Sequence, residues 1–261
     1  MTNRRDLPAQ NRLRGGFDND GVILGTIISS SRNPETVQMA AAAGYDFVWM
    51  DMQHSAATLS VVADMCLAAR AYGVTPIVRP DVLTFDTVRR LLDIGAMGIV
   101  FFDVKTPEQI HQYSEWLRQP AESPSSREFI DGDRTMLDRH SVENVAFITQ
   151  VESRAAVDNI AELLESAIPD LIQIGRSDLS ADLGFPHQLR HPAVLDAVDR
   201  IVAAASLRNV PVAAGAYGRV DAEDLYKRGV RCFHYGTDSA LLMAAYREGI
   251  HMLTDVTAAR R

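Results

Sequence analysis

The stretch 150–184 reads QVESRAAVDNIAELLESAIPDLIQIGRSDLSADLG, and it decides the fold of this chain. It contains two strand endings that each lead to a carboxylate. Glu152 follows the apolar run 145–148, and Asp178 follows the run 171–175. The segment between them has the amphipathic spacing of a helix, so the unit is strand, helix, strand. A right-handed crossover makes the strands parallel, which brings both carboxylates to the same end of the sheet.

Two acidic oxygen ligands at one rim suit a hard divalent cation such as Mg²⁺ or Mn²⁺. A structural role is the alternative. Glu152 would then begin the following helix as a first-turn acid, and Asp178 would cap the next helix. Other polar residues at the same rim decide between these two interpretations.

The composition is that of an ordinary globular protein with a large core. The chain has 261 residues, 47% hydrophobic and 23% charged, with a formal net charge of −8. This charge argues against nucleic acid or an anionic membrane as a partner, and no apolar run approaches the ~20 residues that span a bilayer. Cys66 and Cys232 lie in apolar surroundings without metal-ligand spacing, as reduced core cysteines do. We therefore expect a cytoplasmic protein.

Strand and helix patterns alternate along the whole chain. Short apolar runs predict strands at 22–28, 46–50, 75–78, 98–102, 145–149, 171–175, 211–214 and 231–235. Helical segments follow the strands and close on glycine or meet proline at suitable positions. Eight alternations in this length predict an α/β fold, a single (β/α)8 TIM barrel, rather than an open doubly wound sheet. We expect a flexible N-terminal arm at 1–20 and the catalytic barrel at 21–261, with a polar insertion at 118–144.

Polar residues cluster at the C-terminal ends of the predicted strands, where barrels of this kind hold their active sites. Asp51 and His54 follow the second strand, Arg79 ends the third and Gln150 ends the fifth. Arg79 offers a cation for a substrate carboxylate. Asp51 can hold the His54 imidazole in one tautomer and support its protonated form.

Each of these residues also has a structural interpretation. His54 could be a solvent-facing loop residue, and Asp51 could cap a helix. Arg79 could pair with Asp81 or Asp103 at the rim. The functional interpretation is favoured because all the candidates fall on one rim.

Six stretches resemble the HpcH/HpaI aldolases, metal-dependent class II pyruvate aldolases of the phosphoenolpyruvate/pyruvate barrel superfamily. They are GYDFVWMDMQH, PIVRP, LLDIGAMGI, QVESRAAVDN, IGRSDLSADLG and YGTDSALL. QVES and GRSDLSADLG at this spacing are a specific signal. The resemblance implies reversible cleavage of a 4-hydroxy-2-oxo acid, such as 4-hydroxy-2-oxoheptanedioate or a 2-keto-3-deoxy sugar acid. The products are pyruvate and an aldehyde, formed through a metal-stabilised pyruvate enolate.

The resemblance also implies a role for each site residue. Glu152 and Asp178 would ligate the divalent metal cofactor, Mg²⁺, Mn²⁺ or Co²⁺. Arg79 would hold the keto acid and neutralise the developing enolate. His54, oriented by Asp51, would work with a metal-bound water as the base that removes or returns the aldol hydroxyl proton. A homo-oligomer, often a hexamer built as a trimer of dimers, is implied as well.

The remaining implied contacts concern the substrate. Gln150 would position it, and backbone N–H groups from Gly175 to Ser177 would bind the pyruvate carboxylate. Arg176 departs from the family pattern. It is interpreted either as a second anion contact or as a surface arginine. The segment 118–144 departs as well, since it lacks the family's loop with paired prolines and Arg-Gly.

Two further residues are expected to have structural roles. Lys105 is interpreted as a solvated rim residue, because no lysine ends a strand where a Schiff-base aldolase would require one. His234 is interpreted as a packed core histidine. The altered surroundings of the second substrate leave an alternative function open. This is a decarboxylase or carbon–carbon bond-forming enzyme that uses an oxaloacetate-derived enolate, or a malyl- or citramalyl-thioester lyase.

Overall fold

Eight parallel strands close into a single barrel in chain order, which confirms the predicted (β/α)8 architecture. The computed structural model describes residues 11–15, 17, 21–119 and 144–258. The strands are β1 (Ile23–Ile28), β2 (Phe47–Asp51), β3 (Thr75–Arg79), β4 (Gly98–Phe101), β5 (Ala146–Val151), β6 (Leu171–Ile174), β7 (Val212–Ala216) and β8 (Cys232–Thr237).

Helices surround the barrel and connect its strands. In chain order they are α1 (Arg12–Gly15), α2 (Glu35–Ala42), α3 (Leu59–Tyr72), α4 (Phe85–Asp93), α5 (Pro107–Arg118), α6 (Arg154–Asp158), α7 (Ile160–Ser166), α8 (Arg176–Asp182), α9 (Pro192–Ser206), α10 (Arg219–Lys227) and α11 (Asp238–Ala258). No helix among these described segments is long and apolar enough to cross a membrane.

The predicted strand ends agree with the structure to within two residues, whereas three helical regions differ from the prediction. The segment predicted as one helix after β5 is two short helices, α6 and α7, which meet at Asn159. Pro34 precedes the first residue of α2, so it occupies the N-cap rather than the first helical position. The sequence pattern predicts a helix from Ala222 to Lys227, but α10 begins three residues earlier, at Arg219. Most of the predicted insertion at 118–144 lies outside the described residues.

The strands separate two apolar cores. Every residue of β2 to β7 is buried, because one face of each strand lines the barrel interior and the other packs against helices. The interior core is an apolar cluster that includes Phe47, Trp49, Ile77 and Ile148. The larger core lies between strands and helices. Both cysteines are free and buried, as expected for core residues.

The first described residues close the base of the barrel. The Asn11 side-chain amide donates to the carbonyl oxygens of Met97 at 2.6 Å and Asn144 at 2.8 Å. Leu13 is 1% exposed and belongs to the interior core. Residues 11–15 therefore differ from the flexible arm expected at 1–20. The other residues of that arm lie mostly outside the described part of the chain.

The top of β1 is joined to the start of α11 by one carboxylate. Asp238 accepts hydrogen bonds from the backbone N–H groups of Ser29 at 3.0 Å, Ser30 at 3.1 Å and Ser31 at 2.5 Å. Charge-assisted bonds of this kind are stronger than those between neutral groups. They fix the last helix against the rim that carries the candidate site.

Candidate active site

Glu152 follows β5 at the rim, and its carboxylate is held on both oxygens. The Asp103 backbone N–H donates to Oε1 at 2.8 Å, and the Gln150 side-chain amide donates to Oε2. Asp103 has a φ of 53°, a left-handed conformation that is uncommon for residues other than glycine. Glu152 precedes the Ser153 N-cap of α6, so it does not lie in the first turn of that helix. The helix-start alternative for Glu152 is therefore wrong.

Asp178 lies in the first turn of α8, but the N-cap of that helix is Gly175. Its carboxylate lies close enough to Glu152 for the two charges to interact. Burial raises the pKa of Glu152 and the Asp178 charge raises it further, while the bonds from Gln150 and Asp103 lower it. The crossover thus brings the two carboxylates together, as the sequence predicted.

Gly175 makes room for the Glu152 carboxylate. A Cβ atom at this position would lie 2.7 Å from the Glu152 Cβ and 2.8 Å from its Oε2. Since real Cβ contacts are longer than this, any side chain would push the carboxylate aside. The φ of Gly175 is −80°, so space rather than backbone conformation requires glycine here.

Arg79 forms a buried, bidentate ion pair with Asp51. Its Nε donates to Oδ1 at 2.9 Å and its Nη2 to Oδ2 at 2.6 Å. Asp51 Oδ1 also accepts the Gln53 backbone N–H at 3.0 Å. No bond between Asp51 and His54 is formed in the described part of the chain, so the predicted orientation of His54 by Asp51 differs from the structure. The fixed fork of a guanidinium matches both carboxylate oxygens, whereas an imidazole could reach only one.

His54 lies on the turn that follows β2, with its side chain exposed to solvent at the rim. The turn is held by the Ser55 hydroxyl, which donates to the Asp51 carbonyl oxygen. Arg79 pairs with neither Asp81 nor Asp103. Asp81 accepts the backbone N–H of Val82, and Asp103 pairs with Lys105 at 2.6 Å. Lys105 is 42% exposed in its side chain, in agreement with a rim residue.

Arg176 is buried, which overturns its interpretation as a surface arginine and removes it as a free anion contact. Its side chain is 2% exposed and donates to Asp221 at 2.9 and 2.6 Å. A third bond goes to the Gly215 carbonyl oxygen. Burial alone would raise the pKa of the Asp221 carboxyl, but the bonds from Arg176 and the Tyr217 amide lower it below its ordinary value. The charges of Arg176 and Asp221 are thus paired with each other.

A polar layer lies in the barrel interior below the rim. His234 is 7% exposed, and its Nε2 is 3.1 Å from the Gln173 amide nitrogen. Its ring meets Trp49 edge-on at 5.4 Å, and the Arg79 guanidinium lies 5.3 Å from the Trp49 ring. Burial, together with the charges of Arg176 and Arg79, lowers the pKa of His234 to about 4. His234 is therefore a neutral, packed histidine at pH 7, as predicted.

Sequence reasoning missed Asp221, Trp49 and Gln173. Asp221 gave no local signal, because its partner is 45 residues away. Trp49 and Gln173 did give one. They stand two residues before Asp51 and Gly175, on the same inward face of their strands. A polar or amphipathic residue two positions before a rim residue faces the barrel interior directly below the candidate site.

The donor set fits a divalent cation. Glu152 and Asp178 offer carboxylate oxygens that repel each other unless a cation or proton lies between them. No group of three or more histidine, cysteine or acidic side chains suited to a metal occurs in the described ranges. Two carboxylates without further protein ligands are typical of Mg²⁺ sites whose remaining positions go to water and substrate oxygens.

Comparison with known proteins places this geometry in context. A family model described as HpcH/HpaI aldolase/citrate lyase matches residues 27–245. The 2-keto-3-deoxy-L-rhamnonate aldolase of Shigella boydii serotype 4 (strain Sb227) is 30% identical over 220 residues. These residues cover 81% of this chain and 78% of the relative.

Solved structures of similar fold span nearly the whole chain. An HpcH/HpaI aldolase from Desulfitobacterium hafniense DCB-2 superposes with a TM-score of 0.83 at 25% identity, over 93% of this chain and 95% of that one. A family protein from Burkholderia cenocepacia J2315 gives a TM-score of 0.81 at 28% identity, over 93% and 97%.

Proposed function

Because this chain belongs to the HpcH/HpaI aldolase/citrate lyase family and is a carbon–carbon lyase, we propose that it is a divalent-metal-dependent pyruvate aldolase. Its substrate would be a 4-hydroxy-2-oxo acid, and its products pyruvate and an aldehyde. The Glu152 carboxylate, held at the rim by Gln150 and the Asp103 amide with Gly175 leaving space beside it, is the observation that supports this proposal most.

Glu152 and Asp178 would hold the cation, which is Mg²⁺, Mn²⁺ or Co²⁺. When bound, the ion supplies Lewis acidity toward the keto oxygen of the substrate. Gln150 and the Asp103 amide hold the Glu152 carboxylate in place, and Gly175 keeps the space beside it open. The Gln150 Oε1 is buried without a hydrogen-bond partner, so it is free to accept a bond from a water or a substrate hydroxyl.

Arg79 supplies positive charge near the enolate. Asp51 takes its Nε and Nη2, which leaves the Nη1 group to face a substrate oxygen. This arrangement fixes the guanidinium before the substrate arrives, which is how charge stabilisation in an active site avoids reorganisation. Binding of the pyruvate carboxylate by the amides of Gly175 to Ser177 stays a prediction from the resemblance.

His54 would move the proton at the aldol hydroxyl. In cleavage, the imidazole accepts the proton of the hydroxyl group on C4. The C3–C4 bond then breaks, and the aldehyde is released. The bond's electron pair remains on the pyruvate enolate, which is then protonated at C3 to form the methyl group. In the direction of synthesis, the same imidazole returns a proton to the new alkoxide. The exposed position of His54 at the rim supports this role.

The proposal is tested by supplying the protein with each metal, pyruvate and a panel of aldehydes, and repeating the assay with EDTA. We expect exchange of the pyruvate methyl protons and aldol formation with metal, and neither with EDTA. Metal-replete protein that neither exchanges these protons nor cleaves any hydroxy-keto acid would contradict the proposal. Decarboxylation of oxaloacetate without any aldol product would favour the alternative enzyme class.

Replacing His54 with alanine should damage the aldol reaction selectively. The base contributes about 10²–10⁴-fold to a proton-transfer step, so aldol cleavage should fall by that order. Exchange of pyruvate methyl protons and oxaloacetate decarboxylation should change far less, because neither needs a base at the distant hydroxyl. All three reactions can be monitored by NMR. Equal losses in all three would contradict the role of His54 as the base at the hydroxyl.

A homo-oligomer is proposed from the exposed apolar side chains of α11. Five large apolar residues of this helix are each at least half exposed to solvent: Leu242, Met243, Tyr246, Ile250 and Leu253. Such a surface is unusual for a monomer. A second copy of the chain would cover it, as the family resemblance also implies. Sedimentation velocity should therefore report an oligomer that Tyr246→Glu dissociates, and a monomeric wild-type chain would exclude it.

A further inference from the structure

The Arg176–Asp221 ion pair ties three elements together at the rim. Arg176 is the first residue of α8, and Asp221 lies near the start of α10. Besides its two bonds to Asp221, Arg176 donates to the carbonyl oxygen of Gly215 in β7. Asp221 in turn accepts the Tyr217 backbone N–H at 3.0 Å. The start of α8 is thus anchored to the loop after β7.

This anchor lies beside the proposed metal ligands in the chain. Arg176 directly follows Gly175, which contacts the Glu152 carboxylate, and it precedes Asp178 by two residues. Helix α8 has only seven residues, and its Gly175 N-cap makes no side-chain hydrogen bond. So short a helix has little stability of its own, and its first turn depends on outside contacts for a fixed position.

Stability alone does not explain the pair. Burying two charges costs about as much free energy as their attraction returns, so well-packed neutral side chains are often equally stable. The bidentate geometry does fix direction and distance. We propose that Arg176 and Asp221 are positioning residues that hold Asp178 against Glu152 in the arrangement a divalent cation requires. This inference rests on the proposed function.

The test measures binding of Mn²⁺ alone, without substrate, by electron paramagnetic resonance of the free ion. The double variant Arg176→Met/Asp221→Asn removes both buried charges together, so it should melt near the wild-type temperature in EDTA. We expect it to bind Mn²⁺ about 10–100-fold more weakly, the usual effect of losing a group that orients a metal ligand. Arg176→Lys keeps the charge but loses the fork, and it should recover only part of this affinity.

A matched control lies at the other end of α10. Arg228 pairs with Asp199 at 2.5 Å and with Asp224 at 3.3 Å, far from the proposed metal ligands in the chain. The double variant Arg228→Met/Asp199→Asn should leave Mn²⁺ affinity unchanged. If the Arg176 double variant fails to fold, Arg176→Lys provides the comparison with wild type.

The outcomes separate this inference from the proposed function. Wild-type binding of Mn²⁺ that both Arg176 variants retain unchanged would overturn the positioning role alone. A wild-type chain that binds no Mn²⁺ would overturn the metal-dependent function and the positioning role with it.

Discussion

Replacing Glu152 with glutamine is expected to abolish metal-dependent turnover while leaving the barrel folded. Glutamine has nearly the same shape, but it lacks the negative charge that a divalent cation requires of its ligands. Aldol cleavage should fall on the order of 10³-fold or more, because the developing enolate loses its main electrostatic stabilisation. Steady-state release of pyruvate at saturating Mg²⁺ measures this loss.

The stability of Glu152→Gln, unlike its activity, should not fall. Burial and the Asp178 charge raise the pKa of Glu152, so the ionised carboxylate destabilises the metal-free protein at pH 7. Removing that charge should keep or raise the melting temperature in EDTA. Glu165→Gln is a suitable control, because Glu165 is an exposed acid paired with Arg208 on the outer helices. Wild-type turnover in Glu152→Gln would remove Glu152 from the metal site.

Gly175→Ala is expected to produce a second large loss of activity from a single added methyl group. The new Cβ would lie 2.7 Å from the Glu152 Cβ and 2.8 Å from its Oε2, so the carboxylate must move. A displacement of about 1 Å in an active site costs on the order of 10²-fold in rate. Turnover should fall by that order, and titration with Mn²⁺ should show weaker binding.

Gly249→Ala controls for the added methyl group itself. Nothing lies within 4 Å of a Cβ at Gly249, which is in the middle of α11. Alanine is favoured over glycine inside a helix by roughly 0.5–1 kcal/mol, so this variant should keep its activity and melt slightly higher. Gly175→Ala with unchanged Mn²⁺ affinity would mean that Glu152 does not depend on this space.

The position of Glu152 and Asp178 at one rim could be predicted from the sequence, because the topology alone determines it. Parallel neighbouring strands end at one rim, so Glu152 after β5 and Asp178 after β6 had to lie close together. The partner of Asp51 could not be predicted in the same way. Proximity in sequence favoured His54, whereas the strand register places Asp51 directly beside Arg79. A permanently charged guanidinium with two parallel donors then outcompetes an imidazole.

The burial of Arg176 could not be predicted from local sequence patterns. Its neighbours in the chain indicate a rim loop, and rim arginines are usually solvated. Burial was decided by Asp221, a residue with no periodic or motif relation to it. Long-range ion pairs of this kind depend on side-chain geometry, which neither hydrophobic spacing nor a family motif contains. The base of the barrel was missed for a related reason, since Asn11 and Leu13 belong to no predicted strand or helix.

The seal formed by Asn11 also bears on how the chain acquires its fold during synthesis. Its hydrogen-bond partners lie 86 and 133 residues later, at Met97 and Asn144. The bonds of Asn11 therefore cannot form until more than half of the polypeptide has been made, and β1 waits still longer for β8. Such non-local pairing makes folding slow and leaves unpaired strand edges exposed meanwhile. Incomplete chains of this protein are expected to need chaperones, whereas the finished barrel buries Asn11 and Leu13.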